Sequence, residues 1–216
     1  MHYSSRRQLI LLAAAGAVSG WAQQHKADHM QRRFDPKSSA GFDSPEREAW
    51  QKPAEVIAAL GLADGQTVAD IGAGTGYFTV RLARHNAKVK VIASDIEASM
   101  VEHIRERAGK EGLSNVTAVQ ASESSANLTG KVDRVLLVNT YHHIPGRVEY
   151  FKKLRESLQT GGRVAIVEWK KNAQGGGPPR EHRKSVEEIT SEMKQSGYRL
   201  AAQHQFLERQ EFLIFE

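Results

Sequence analysis

The chain contains no cysteine. That one absence excludes disulfides, thiolate-held metals and cysteine nucleophiles together, and it suits an oxidising compartment. Charge of one sign is also scarce. The 30 Lys and Arg stand against 25 Asp and Glu, a formal net charge of +5, too mild to argue for a nucleic-acid partner. No internal repeat is visible. The longest N-terminal apolar run, Leu9 to Val18, falls short of the roughly 20 residues a helix needs to cross a bilayer. What is present is 216 residues, 40% hydrophobic and 25% charged, enough for one α/β domain with a sizeable core.

Residues 1–22 differ from the rest. Arg6 and Arg7 precede the apolar run, and small residues follow around Gly20 and Ala22. This is the pattern of an export signal with cleavage expected after Ala22. Ser5-Arg6-Arg7-Gln8-Leu9-Ile10 resembles a twin-arginine signal, a bacterial route for folded, often cofactor-loaded proteins. The reading implies an exported, periplasmic protein with no membrane span once the leader is removed; an uncleaved anchor is the alternative. Residues 23–43 read as a polar linker or arm. His25 and His29 have helical ligand spacing but no third ligand, so no metal site is expected.

From Ser44 to residue 216 the pattern is that of one domain. Ser44-Pro45-Glu46-Arg47 starts a helix, and Pro53–Leu60 is a second, closed by Gly61. Strands are expected at Thr67–Ile71, Val89–Ser94, Val116–Gln120, Val132–Val138 and Arg163–Glu168. Helices are expected at Tyr77–His85, Ser99–Glu111 and Val148–Leu158. Such alternation means βαβ crossovers and a parallel sheet. Gly175-Gly176-Gly177-Pro178-Pro179 is a break. A helix over Val186–Gln195 and a hairpin, Tyr198–Phe206 with Glu211–Phe215, close the chain.

The most informative stretch is Val68-Ala69-Asp70-Ile71-Gly72-Ala73-Gly74-Thr75-Gly76. An apolar strand ends in an acid and three alternate glycines, where the backbone can approach a ligand closely. A helix follows, so its free N–H groups face the same spot. Asp95 ends the next strand, where a nucleoside ribose would sit in a doubly wound sheet. The dinucleotide fingerprint requires a third glycine at position 77. This chain has Tyr77 there, which weakens a nicotinamide-dependent oxidoreductase.

These residues resemble the class I S-adenosylmethionine-dependent methyltransferases, over about residues 44–216. The resemblance is carried by 68–78, by Val91-Ile92-Ala93-Ser94-Asp95-Ile96, by Asp133 to Ile144, and by Leu158-Gln159-Thr160-Gly161-Gly162 running into Arg163–Glu168. Gln159 and Thr160 replace the family's Lys-Pro. The lead-in Phe42 to Pro53 is similar to a bacterial subgroup, some of whose members carry export signals. The resemblance implies a doubly wound, mostly parallel seven-stranded sheet with helices on both faces and a C-terminal antiparallel hairpin. It implies S-adenosylmethionine as cofactor and methyl transfer to a small-molecule acceptor by in-line displacement.

It also implies a site. Asp70 would orient the glycine loop and approach the methionine amino group. Gly72, Ala73 and Gly74 would pass beneath the methionine and ribose, with Gly76 and Tyr77 completing the turn. Asp95 would accept from both ribose hydroxyls, and Ile96 would pack on adenine. Glu123 is the candidate adenine contact, or an exposed loop acid. Asn139 would face the methionine end beside the transferable methyl. Tyr141, His142 and His143 follow the fourth strand, where such folds place chemistry. A histidine is the usual general base, and Tyr141 would line the pocket. Trp50 would wall the site or fill the core. Glu168 and Trp169 would border the acceptor. Lys170, Lys171, Arg180, His182 and Arg183 would meet an anionic acceptor or form a solvated basic loop. A non-catalytic module that binds the cofactor or its demethylated product is the alternative reading.

Overall fold

The computed structural model describes residues 40–216. The expected leader over 1–22, the arm up to residue 39 and the pair His25 and His29 lie outside the described residues. Seven strands form one sheet: β1 Thr67–Ile71, β2 Lys90–Asp95, β3 Val116–Gln120, β4 Val132–Val138, β5 Leu158–Trp169, β6 Leu200–His204 and β7 Gln210–Phe215. Their order is β3-β2-β1-β4-β5-β7-β6. β1 to β5 pair in parallel, and β7 lies antiparallel between β5 and β6. This is the Rossmann-like sheet that the resemblance implied, with the parallel pairing that the alternation indicated. Its order reverses beside β1, so the crevice at the carboxyl ends of β1 and β4 is a topological switch point.

Six helices cover the sheet: α1 Glu46–Gln51, α2 Pro53–Ala59, α3 Tyr77–His85, α4 Ala98–Lys110, α5 Arg147–Arg155 and α6 Val186–Gln195. The strands alternate in which face they serve. Ala69, Ile71, Val135 and Leu137 pack with Phe151, Leu154, Ile189 and Met193 from α5 and α6. Val68, Leu136 and Val138 pack with Val56, Ile57, Phe78 and Leu82 from α2 and α3. A smaller cluster seats Val101 and Ile104 of α4 on Ala93 and Ala118. Strands buried on both faces therefore read as continuous apolar runs.

Several ends differ from expectation by one or two residues, and three differences are larger. The helix read as Val148–Leu158 ends at Arg155, and Leu158 already pairs with Val132. β5 thus starts five residues before Arg163, because the Gly161–Gly162 turn is absorbed as a register shift between Val132 and Arg134. Residues 40–43 form a 3-10 turn rather than open linker. Asp43 is held there by Arg107 of α4 at 3.1 Å.

Candidate active site

Asp70 sits near the end of β1, almost wholly buried, and accepts the Thr79 hydroxyl of α3 at 2.7 Å. Burial pushes its carboxyl up to about 6, against the opposing pull of the Thr79 bond. The glycine turn then runs through left-handed backbone at Gly72, Gly74 and Gly76. Gly72 has φ +70, and a Cβ there would overlap the Thr140 side chain. Only glycine lets β1 and the end of β4 approach so closely. Gly72 N and Ala73 N both donate to Ser94 O of β2.

Asp95 is clamped by two backbone donors. Its Oδ2 accepts Gly74 N at 2.7 Å and its Oδ1 accepts Glu97 N at 3.0 Å. Burial raises its carboxyl, while the backbone bonds pull the other way. A carboxylate has about four acceptor positions, so lone pairs remain for a ligand's hydroxyls. Ile96, next to it, is 47% exposed, one of two exposed large apolar side chains among the described residues. Glu123 lies exposed in the Ser122–Ser125 turn after β3. Tyr77 opens α3 with its ring between the guanidinium groups of Arg47 at 4.0 Å and Arg81 at 3.7 Å.

Asn139 closes β4 in left-handed backbone, φ +57, and its N–H donates to Val167 O of β5. Beyond it the three ring residues separate. Tyr141 is fully buried against Phe151, and its hydroxyl donates to Glu192 of α6 at 2.6 Å. It packs the core and does not line a pocket, a correction to its sequence reading; a hydroxyl beside a buried-edge carboxylate and an apolar ring explain its place. His142 turns to β5 instead. Its Nδ1 lies 2.9 Å from Glu168 Oε2, with both side chains buried. A carboxylate only accepts, so a neutral ring facing it would carry its proton on Nδ1 and keep a lone pair on Nε2. The His143 ring lies 4.0 Å from that of His142.

Trp50 of α1 packs tilted on Trp169 at 5.2 Å, so it both covers the end of β5 and fills space. Four residues of the basic cluster after β5 are engaged by the loop or by its neighbours. Arg183 is buried and donates to Pro178 O, Lys170 O, Ala173 O and Gly176 O. Arg180 donates to Asn172 Oδ1, Lys171 pairs with Glu188, and Lys170 Nζ donates to Leu207 O. The sequence pointed to Glu168 but gave no sign of its partner. It gave no role to Thr79, nine residues from its partner Asp70, or to Gln51 and Gln210, whose contacts span long stretches of chain.

Residues 68–162 match the methyltransferase domain family. A solved S-adenosylmethionine-dependent methyltransferase from Aquifex aeolicus is 27% identical and superposes with a TM-score of 0.78, covering 85% of this chain and 98% of that one. Over residues 68–162 the chain is thus similar to the methyltransferase domain, and its fold is that of the S-adenosylmethionine-dependent methyltransferases. Among curated relatives, (S)-coclaurine N-methyltransferase from Thalictrum flavum subsp. glaucum is 29% identical over 48% of this chain and 28% of its own length. Trans-aconitate 2-methyltransferase from Afipia carboxidovorans is 28% identical over 56% of this chain and 45% of its own. The chain thus spans less than half the length of these relatives. The glycine turn and Asp95 of the methyltransferase domain lie inside the matched span, whereas Glu168, Arg183 and Gln210 lie beyond it.

Proposed function

We propose that the protein binds S-adenosylmethionine across the carboxyl ends of β1, β2 and β4 and transfers its methyl group to a small-molecule acceptor. One observation carries this reading. A Cβ-free turn leads to a carboxylate already oriented by Gly74 N and Glu97 N, with an apolar side chain exposed beside it. That combination fits a ribose diol with an attached flat base. When bound, the cofactor supplies a methyl group activated on a sulfonium. Asp95 would take the ribose, Ile96 the adenine, and Asp70 the amino end of the methionine portion.

Alignment of nucleophile, carbon and sulfur is worth about 7–11 kcal/mol. The chain's own contribution beyond that is a base. His142 Nε2 would accept the proton of an acceptor hydroxyl or ammonium, and Glu168 would hold the ring in place. A positioned base adds about 10²–10⁴-fold. His143, stacked beside it, is assigned no separate step.

Calorimetry with S-adenosylmethionine, its demethylated product and NAD tests the cofactor. Binding of NAD alone would overturn the proposal. Transfer of labelled methyl to a panel of phenols, carboxylates and amines tests turnover, and tight binding with no transfer would favour a sensing module. The His142→Asn variant should bind cofactor normally but turn over about 10²-fold more slowly. We also propose, from the leader pattern alone, that the protein is exported. Cell fractionation of the full chain against an Arg6→Lys, Arg7→Lys double variant tests this, and an unchanged distribution would exclude the twin-arginine route.

A further inference from the structure

One set of hydrogen bonds joins the N-terminal helix to the end of β4 through buried side chains. Arg47 Nε donates to Gln51 Oε1. Gln51 Nε2 donates to Gln210 Oε1 at 2.8 Å. Gln210 Nε2 donates to Asn139 Oδ1 at 2.5 Å. Gln51 and Gln210 are both fully buried. An amide can ordinarily face either way, because its O and NH₂ ends are nearly equal in shape. Here the first member decides. A guanidinium has donors and no acceptor, so Gln51 must present oxygen to Arg47 and nitrogen to Gln210. Gln210 must then do the same toward Asn139. The Asn139 NH₂ is left with no acceptor among the described residues, on a residue that is only partly buried. Arg47 is itself anchored by its bond to Phe42 O and by the Tyr77 ring.

We propose that this relay is a polarity lock: Gln51 and Gln210 are positioning residues that make Asn139 a hydrogen-bond donor to the cofactor's methionyl carboxylate. The inference rests on the cofactor assignment above and adds a selection to it. The site is organised to accept a ligand bearing an anionic oxygen at its methionine end, and to discriminate against one without it. Asn139 lies level with the glycine turn, since β4 pairs with β1 up to Leu137 and Ile71, and Thr140 touches Gly72. Left-handed backbone at Asn139 turns its side chain from the ladder toward Gln210.

The relay can be reversed without leaving a group unpaired. In Gln51→Glu the new carboxylate accepts from both Arg47 and Gln210. Gln210 then turns its oxygen to Asn139, and Asn139 turns its oxygen outward. In Gln51→Leu the lock is removed without adding charge, and Asn139 takes both orientations. The measurement is calorimetric affinity for S-adenosylhomocysteine, for its decarboxylated analogue, and for adenosine as a control. The wild-type protein should prefer the carboxylate-bearing ligand by tenfold or more, the range of a hydrogen bond to a charged group, roughly 1.5–3 kcal/mol. That preference should fall about tenfold in Gln51→Glu and severalfold in Gln51→Leu, with adenosine affinity unchanged. An equal preference in all three proteins overturns the lock. So does a loss confined to Gln51→Glu, which would be the effect of added charge. Failure of the wild-type protein to bind S-adenosylhomocysteine at all would instead overturn the cofactor assignment beneath it.

Discussion

Asp70 shows how one residue of the proposed site bears on stability. Its carboxyl is pushed up to about 6 chiefly by burial; the Thr79 hydroxyl and Arg47 oppose the rise, and the neighbouring Asp95 adds to it. In the unfolded chain an aspartate titrates near 3.9. Between about pH 4 and pH 6 the folded state therefore keeps a proton that the unfolded state has released. Stability falls as pH rises through that window and stays low above it. A gap of about two units corresponds to about 3 kcal/mol. Asp70→Asn keeps a partner for Thr79 and removes the titration. Urea unfolding without ligand should find the variant more stable above pH 6.5, by up to about 3 kcal/mol, and close to wild type below pH 4. Parallel curves across the window would show that Asp70 is not the source. The same variant should bind S-adenosylmethionine more weakly, since it lacks the charge that would meet the amino group.

At the scale of elements, the loop between β5 and α6 is the least expected part of the molecule. Five residues in a row, Gly175 to Pro179, look like an open break. In the structure they are moulded around two side chains. Gly176 and Gly177 lie flat on the Trp169 indole, and a Cβ on Gly177 would come within 2.5 Å of it. The Arg183 guanidinium meets the same ring at 5.7 Å and binds four loop carbonyls. Arg183→Met keeps much of the apolar stem and removes every donor. Leaving buried carbonyls unpaired costs about 1–3 kcal/mol each, although those that reach water recover most of it. A net loss of about 2–4 kcal/mol is expected, with faster amide hydrogen exchange and proteolysis at 172–179. Unchanged exchange there would mean the glycines hold the loop unaided.

The contrast with the legible elements is physical. β1, α3, β3, β4 and α6 have the bounds that periodicity and glycine punctuation indicate, because each is specified by its own residues and its nearest neighbours. The glycine turn and Asp95 were readable for the same reason. The partners that finish the site were not. Gln51 meets Gln210 across 159 residues, Gln210 meets Asn139 across 71, and His142 meets Glu168 across 26. No local spacing encodes such pairs. Tyr141 was misplaced because a tyrosine after a strand end reads alike whether its ring turns to the cleft or, as here, to α6.

For the whole molecule, the proposed cofactor contacts and the loop around Trp169 are made by different residues, so their effects can be tested apart. The proposed cofactor would touch the ends of β1, β2 and β4, so it binds the folded state and not the unfolded chain. At a ligand concentration one hundred times Kd, mass action then adds about 2.7 kcal/mol. In a domain of this size each kcal/mol raises Tm by about 2–4 °C, so saturating S-adenosylmethionine should raise it by about 5–10 °C. Asp95→Ala removes the ribose acceptor, and hydrogen bonds to a charged group are worth about 1.5–3 kcal/mol each. Its ligand-induced shift should nearly vanish at the same concentration. Arg183→Met, acting through the loop around Trp169, should lower the starting Tm yet keep the shift. Sites without shared partners add in their effects to within a few tenths of a kcal/mol, so the double variant should show both changes. Differential scanning calorimetry of the four proteins with and without ligand checks this. A shift lost in Arg183→Met would mean that the loop beyond β5 is part of the cofactor site.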